Sequence, residues 1–507
     1  MTRMGQKSET DSWLGSLPAA LAGEAGGHAG GGKALEEGKR VALRLGWREL
    51  SDPPPMEEIF HLLAATPYAC FLDSSLVMER LGKYSFIGYR PFLVLSTRGH
   101  LCRWKARGGA SWTTDENPFR ALRRALNAFR LEGGEENAPA DLPPFTGGGM
   151  GYLAYELGRY IERLPGKAVD DLGLPELCFA FYDRLLAHDH GTGKTWFLAL
   201  HPVDPEEVLE AEKRLMETDP PQYRPPAGGG AVRFTSNFTR EEYLEAVRRV
   251  KEYIYAGDIY QANLSQRFHA PLTVHPWILY RRLRRLNAAP FAAYFNAVEG
   301  QVCSSSPERF LKGEGRRVET RPIKGTRPRS DDPREDRRLA EELLASAKDR
   351  AELSMIVDLE RNDLGRVCSY GTVKVEEHAV IEHYATVHHL VSTVVGELHP
   401  GKDMVDLLRA SFPGGSITGA PKIRSMEIID ELEPTARSVY TGSIGYLGFN
   451  GNFDLNIAIR TIIVKGNTAY FQVGGGIVAD SVPEEEYQET LDKGKAIFAS
   501  LRSGLES

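Results

Sequence analysis

The pattern of apolar and polar positions changes character along the chain. Residues 1–40 carry no periodic apolar pattern, and six glycines fall between Gly23 and Gly32. A stretch of that composition buries little and predicts a flexible N-terminal segment. From Val41 onward apolar runs of strand length begin. Tyr68–Leu72 and Pro91–Ser96 predict strands, and Gly147–Tyr155 reads as a glycine-rich turn running into apolar structure. A second cluster of breakers, Pro220 to Gly230, predicts a linker over 219–232. It separates an N-terminal region, 41–218, from a C-terminal region, 233–503.

Beyond the linker the apolar period alternates between that of helices and that of strands. Thr239 with Glu242 three residues on forms a capping-box signal, and the helix it opens should end near Gly257. Tyr260–Phe268 alternates as a strand. Residues 333–365 predict one long charged helix, with Leu339, Leu343, Leu344, Ala347, Ala351, Met355 and Leu359 as its apolar positions. Pro421–Leu432 predicts an amphipathic helix, Phe453–Val464 and Ala469–Val473 strands, and Pro483–Leu501 a closing helix. Long strands with separated helices, and no repeat of solenoid period, make the fold class α+β.

Composition narrows the function classes. The 507 residues are 42% apolar and 26% charged, which is ordinary for a chain with a large buried core. A formal charge of −7 argues against a chain built to grip nucleic acid. Cys70, Cys102, Cys178, Cys303 and Cys368 are odd in number and scattered, so a disulfide framework and a zinc ribbon are not expected, and a reducing cytoplasm fits best. No apolar run reaches the ~18 residues of a membrane span. Leu17–Leu21 is too short for the apolar core of a signal peptide.

Several residues could carry chemistry, each with an ordinary explanation beside it. Asp349 and Glu352 share one helix face, as do Glu486 and Glu489, and four carboxylates on two helices suit a hard divalent cation. A solvated charged face has the same spacing. Pro413–Lys422 (PGGSITGAPK) offers free backbone N–H groups and the Ser416 hydroxyl to an anion, or is a plain tight turn. Arg460 lies in an apolar stretch, where a guanidinium needs an anionic partner, either a substrate carboxylate or an internal acid. Gly474, Gly475 and Gly476 let a ligand approach the backbone, or bend the strand to its end. Lys324, between Ile323 and Gly325, becomes a nucleophile if its site is dry, and is otherwise a solvated lysine. Glu308 is a general acid if its pKa is raised, and otherwise a surface ion-pair partner. His388 and His389 suit a metal, or packing and hydrogen bonding.

Singly these signals are weak; their joint order is specific. Residues from about 235 to 500 resemble the chorismate-utilising enzyme family throughout. The resemblance is carried by Gly257–Leu264 (GDIYQANL), Ser306–Arg309 (SPER), Arg321–Thr326 (RPIKGT), Asp349–Glu352 (DRAE), Val357–Gly365 (VDLERNDLG), His388–Val391 (HHLV), Pro413–Lys422, Gly442–Tyr446 (GSIGY), and Gly474–Gly476 with Glu486 and Glu489. It implies the anthranilate synthase component I type of α+β fold, with two large facing antiparallel sheets, helices outside, and a Mg2+-dependent site between. It also implies Glu352 and Glu489 as metal ligands with Glu486 assisting, and Gln261, Gly325, Thr326, Ser416, Tyr446, Arg460 and Gly474–Gly476 as chorismate-binding residues. His389 would stand beside the ring, with Glu308 and Lys324 as the reacting groups. Asp349 stands where relatives often carry Glu.

Two positions separate the branches of the family. Water-adding members carry a lysine base where this chain has Gln261. The anthranilate-forming branch reads PIAGT where this chain reads PIKGT, and that lysine is typical of the branch making 4-amino-4-deoxychorismate for 4-aminobenzoate and folate. The resemblance therefore implies amination of chorismate through a covalent Lys324 intermediate. Anthranilate formation is the alternative, and a catalytically silent tryptophan- or chorismate-binding partner the second. No glutaminase-like segment is evident, so a separate glutamine amidotransferase subunit is expected. The N-terminal region also resembles the family's tryptophan pocket, through Ser74 in Leu72–Ser74, Tyr84, Ser85, Phe86 and Ile87, and Pro290, Phe291 and Ala292. Relatives read LES where this chain has Leu72-Asp73-Ser74.

Overall fold

In a computed structural model, residues 40–78, 80–132, 138–201, 232–384 and 387–502 are described. The expected flexible segment and linker lie, apart from Arg40 and Val232, outside the described residues. Among these residues two large sheets form, one of 13 strands and one of 12. Every pairing but one is antiparallel; Val41–Leu50 runs parallel to Phe129–Leu131. The α+β expectation and its two facing sheets are what the structure has.

Each sheet takes strands from both regions. In the larger, Phe291–Asn296 pairs with Cys70–Asp73, Ala292 opposite Asp73. In the smaller, Ser443–Gly448 pairs with Gly148–Leu153, Ser443 opposite Leu153. The sheets face each other across a core holding Met150, Tyr152 and Tyr182 from one and Leu198, Phe295 and Ile463 from the other. Helices cover both outer faces. Helix Ala347–Gly365 sets Leu353 and Val357 among Leu390 and Val394 of the smaller sheet. Helices Pro276–Leu286 and Pro483–Arg502 set Trp277, Leu283 and Ile497 among Phe71 and Phe471 of the larger. Among the described residues no helix is long and apolar enough to cross a membrane.

Local signals worked where the chemistry is local. Thr239 accepts from the Glu242 amide, and Glu242 accepts from the Thr239 amide at 2.7 Å, opening helix Arg240–Tyr255. The single helix expected over 333–365 is instead two, Pro333–Ala345 and Ala347–Gly365. Ser346 adopts extended backbone (ψ 110°) and its hydroxyl accepts from the Asp349 amide at 3.2 Å, so one residue ends the first helix and caps the second.

The expected strand 453–464 is also two. Phe453–Asn456 belongs to the smaller sheet and Thr461–Lys465 to the larger, and the chain crosses between them at 457–460. Arg460 closes the crossing with φ +52°. A second crossing, Pro307-Glu308, joins Gln301–Ser306 of the larger sheet to Arg309–Glu314 of the smaller. The two crossings are bonded together: Ile457 N donates to Glu308 O at 3.0 Å, and Ser306 Oγ to Ile457 O at 2.5 Å. Strand Thr468–Ile477 runs straight through Gly474–Gly476, which do not bend it.

Candidate active site

Glu308, fixed at its crossing, is 4% exposed, and its Oε1 accepts from the Ile323 amide at 3.3 Å. Lys324 follows on strand Ile323–Pro328. Its Nζ donates to the carbonyl oxygen of Ser416 at 3.0 Å, in the single 3-10 turn Gly415–Ile417 of the Pro413–Lys422 loop. Between Lys324, opposite Leu390, and Thr326, opposite His389, the ladder slips by one residue at Gly325. Gly325 has φ +75°, and a Cβ there would lie 2.8 Å from Leu343 Cδ1 and 2.9 Å from Asp349 Oδ1. Only glycine fits this bulge.

Burial drives the two reacting candidates toward their neutral forms. It raises Glu308, against the opposing pull of the Ser416 hydroxyl and the Lys324 charge. It lowers Lys324, against the charges of Glu308 and Glu352. The gap between a carboxyl and an amine narrows from both ends, which brings a protonated acid beside a free amine within reach.

His389 is 4% exposed; its Nδ1 lies 3.0 Å from Thr326 Oγ1 and its ring packs edge-on to Tyr384 at 4.8 Å. Burial, aided by the Arg460 charge, lowers its pKa to about 3, so the ring is neutral. His388 is turned away, its Nε2 2.9 Å from Asp336 Oδ1 and its Nδ1 2.7 Å from that of His383.

Arg460 donates to Asn287 Oδ1 at 3.3 Å, and among the described residues no carboxylate pairs with it. Burial disfavours its charge, and Tyr440 is the group that favours it. Such a guanidinium is suited to an incoming anion. Tyr440 was not singled out in the sequence, where nothing near it marks it. Tyr446, which the resemblance implied for chorismate, is placed elsewhere.

The acids come from two helices. Burial raises Glu352, opposed by Lys324 and Lys348 and reinforced by Asp349 and Glu489. Glu486 is buried and raised likewise, while Ser481 Oγ donates to its Oε1 at 2.5 Å. Burial pushes Glu489 up, and Lys493 more than reverses it through an ion pair of 2.6 Å. Asp349 leans away, accepting from Arg327 at 3.3 Å. Among the described residues no three His, Cys, Asp or Glu side chains converge on one point. The donor set still suits Mg2+, which takes few protein oxygens and fills its shell with water and substrate. Lys493, whose Nζ also donates to Gly474 O at 3.1 Å, is a further member of the cluster. Its i,i+4 spacing from Glu489 was the legible signal.

The glycine strand closes the site. Gly475 faces the acids: a Cβ would lie 3.2 Å from Glu486 Oε2, 3.5 Å from Glu489 Oε1 and 3.7 Å from Lys493 Nζ. Gly476 faces Gln261, which is 1% exposed and whose Oε1 has no hydrogen-bond partner among the described residues.

Away from these residues a cavity of about 140 Å³ is lined by Ser74, Tyr84, Phe86, Pro290, Phe291 and Ala292 of the expected tryptophan set. Ser85 stands behind it, bonded to the Ser74 amide and to His190, and Ile87 is buried in the outer core of the larger sheet. Tyr446 lines this cavity too, packed on Phe86 and Phe145. Asp73 accepts from Tyr280 at 2.9 Å and Arg284 at 2.7 Å, and Asp454 from Arg309 at 2.9 Å, so both carboxylates on its wall already have partners.

Comparison with known proteins identifies the family. Residues 92–499 match the model of the chorismate binding enzyme family. The chain is 50% identical to anthranilate synthase component 1 of Thermus thermophilus over 71% of this chain and 79% of that one. It is 42% identical to aminodeoxychorismate synthase component 1 of Escherichia coli over 91% of this chain and 98% of that one. The crystal structure of anthranilate synthase component I from Streptococcus pneumoniae superposes with a TM-score of 0.73 at 31% identity, covering 83% of this chain and 94% of that one. By that match over most of its length and by its identity to these relatives, this chain belongs to the chorismate binding enzyme family.

Proposed function

We propose that the chain converts chorismate and ammonia to 4-amino-4-deoxychorismate, as component 1 of an aminodeoxychorismate synthase serving 4-aminobenzoate and folate formation. The observation that carries this reading is Lys324: a partly buried amine, held by Ser416 O and set against Glu308, with burial lowering its pKa. Burial moves this lysine toward the free amine that a nucleophile requires. The relatives named aminodeoxychorismate synthase component 1 support the reading.

Arg460 and the backbone of Gly474–Gly476 receive a carboxylate of the substrate, with Thr326 and His389 beside the ring. Bound Mg2+, held by Glu352 and Glu489 with Glu486 beside them, would supply positive charge for a second carboxylate. Lys324 Nζ then bonds to C2 of the ring as the double bond shifts and the C4–O bond breaks. Glu308 gives its proton to the departing oxygen, which leaves as water. Loss of a proton from the lysine nitrogen leaves a neutral adduct. Ammonia bonds to C4, the double bond shifts back, and the C2–N bond breaks, returning Lys324 as an amine once the nitrogen entering at C4 has lost a proton. In the sum, hydroxyl is exchanged for amine at C4 and one water is released. Gln261 has no basic nitrogen, so nothing at that position activates water in place of ammonia.

The Thermus relative favours a second reading, anthranilate formation, in which ammonia bonds to C2 directly. Mass spectrometry of the intact enzyme with chorismate and Mg2+ but no ammonia separates the two. The reading expects an added mass of chorismate less water, located on Lys324 and missing in Lys324→Ala. Full turnover to the 4-amino product by Lys324→Ala would refute the covalent role of Lys324, and turnover to anthranilate by the wild-type chain would refute the reading itself.

A further inference from the structure

Behind the site lies a buried ion pair that no step of the proposed mechanism uses. Arg437 and Glu433 are 2% and 3% exposed, and they meet twice, Nε to Oε2 at 2.8 Å and Nη2 to Oε1 at 2.7 Å. The other donors of the guanidinium reach three separate segments. Nη1 donates to Ile417 O at 3.0 Å and to Thr441 Oγ1 at 3.3 Å, and Nη2 to Asn263 O at 2.7 Å. Every N–H of the guanidinium thus has an acceptor. Each of the three segments carries a wall of the site. Ile417 O belongs to the peptide next to the one whose oxygen, Ser416 O, holds Lys324 Nζ at 3.0 Å. Asn263 stands opposite Gly476, and its own N–H donates to Thr418 O at 2.8 Å. Thr441 N donates to Ala458 O at 2.8 Å, in the crossing that ends on Arg460. Glu433 completes the frame: it accepts from the amide and the hydroxyl of Ser265, each at 2.8 Å, opposite Gly474.

We infer that Arg437 is a positioning residue for Lys324: by fixing the Ile417–Thr418 peptide it sets the direction of Ser416 O, and through it the line along which the lysine nitrogen meets the ring. The inference rests on the amination proposed above, in which that nitrogen forms the first bond. The turn Gly415–Ile417 needs such a support. From within it is closed by a long bond, Thr418 N to Gly415 O at 3.4 Å, and the Thr418 hydroxyl holds its start, on Gly414 O at 3.0 Å. The carbonyls of Ser416 and Ile417 meet donors from outside the turn, Lys324 and Arg437. As a source of stability alone, a buried ion pair has little advantage over apolar packing of the same size, because both charges lose their water. What a guanidinium adds is direction, its donors being fixed in one plane.

The test reads the rate of adduct formation on Lys324, by intact mass, in the full chain with Mg2+ and increasing chorismate but no ammonia, together with Tm. Arg437→Lys keeps a cation against Glu433 and loses the fork that reaches Ile417 O and Asn263 O. The double variant Arg437→Met, Glu433→Gln removes the guanidinium without leaving a bare buried carboxylate and keeps an acceptor for Ser265, so it stands in should the lysine variant unfold. In either folded variant the maximal rate of adduct formation should fall by about tenfold to 10²-fold, the effect of a mis-aimed group, and fall more than the half-saturating chorismate concentration rises. If Arg437 only neutralised Glu433, lysine would restore the rate along with Tm. A maximal rate within about twofold of wild type in either folded variant, or a change confined to the half-saturating concentration, overturns the inference and leaves the amination reading standing. A wild-type chain that forms no adduct on Lys324 removes the amination reading itself, and the inference with it.

Discussion

Gly476→Ala tests how tightly the glycine strand and Gln261 are fitted. Gly476 is opposite Asn263 in a regular ladder and its φ is not in the left-handed region, so an alanine backbone is permitted and only space decides. A Cβ built there lies 2.0 Å from Gln261 Nε2 and 3.1 Å from its Cδ. Relief to 3.0 Å, the least that real Cβ contacts show, needs about 1 Å of movement. Gln261 is buried, and Ser425 Oγ donates to its backbone carbonyl at 2.9 Å, so its backbone is fixed and relief has to come from the side-chain amide within a closed space. Overpacking of this kind costs ~1–3 kcal/mol, and misplacing a group in a reacting site by ~1 Å costs about 10²-fold in rate. Gly475→Ala is the control, since its nearest contact is 3.2 Å from a carboxylate at the end of a flexible side chain. The assays are Tm by scanning calorimetry and kcat/KM for chorismate with ammonium salt. Gly476→Ala should lower Tm by a few degrees and kcat/KM by about two orders of magnitude; Gly475→Ala should keep Tm and raise KM by crowding the substrate side. Wild-type Tm and kinetics for Gly476→Ala would refute the close fit.

Glu308→Gln keeps the shape of the crossing and removes the proton, so kcat should fall by about 10²–10⁴ with Tm little changed; a smaller loss would exclude Glu308 as the general acid. Arg437→Met leaves Glu433 buried without the guanidinium that binds it at 2.7 and 2.8 Å, and frees Ile417 O and Asn263 O. Urea unfolding should show a loss of ~3–5 kcal/mol, and a loss below ~1 kcal/mol would contradict the burial argument. His389 titrates near 6.5 when unfolded and near 3 when folded, so its neutral form is the folded one and the unfolded chain holds more protons between those values. Its contribution is intact above pH 6.5 and lost as pH falls toward 3, by up to ~1.4 kcal/mol per pH unit. His389→Asn should flatten the acid side of the stability profile, and an unchanged slope would show that the ring already protonates freely.

Features decided within a few residues were legible in the sequence. The Thr239–Glu242 box is complete in four residues, and Met426, Ile429 and Leu432 of Pro421–Leu432 are buried as their spacing predicts, while Ile423 in the first turn is exposed. The two crossings were hidden because strands of both sheets are buried on both sides, and an apolar run such as 453–464 reads the same whether it stays in one sheet or changes to another. Arg460 is the charged residue inside the apolar stretch Ile457–Ile463, and it marks the place where the sheets meet. Ser346 was read as one more position of a long helix, since a cap with apolar turns on either side leaves no gap in the period. Tyr440 and Tyr446 are six residues apart; that Tyr446 turns into the cavity beside Phe86 depends on pairing of its strand with Gly148–Leu153, nearly 300 residues earlier in the chain, and no local pattern encodes that.

The most direct measurement is the position of the new nitrogen. The purified chain with chorismate, Mg2+ and ¹⁵N-ammonium is followed by NMR and mass spectrometry, with a lyase added in a parallel sample to release the aromatic acid. The account predicts nitrogen on C4, giving 4-amino-4-deoxychorismate and then 4-aminobenzoate. Nitrogen on C2, with fluorescent anthranilate forming before any lyase is added, would contradict it.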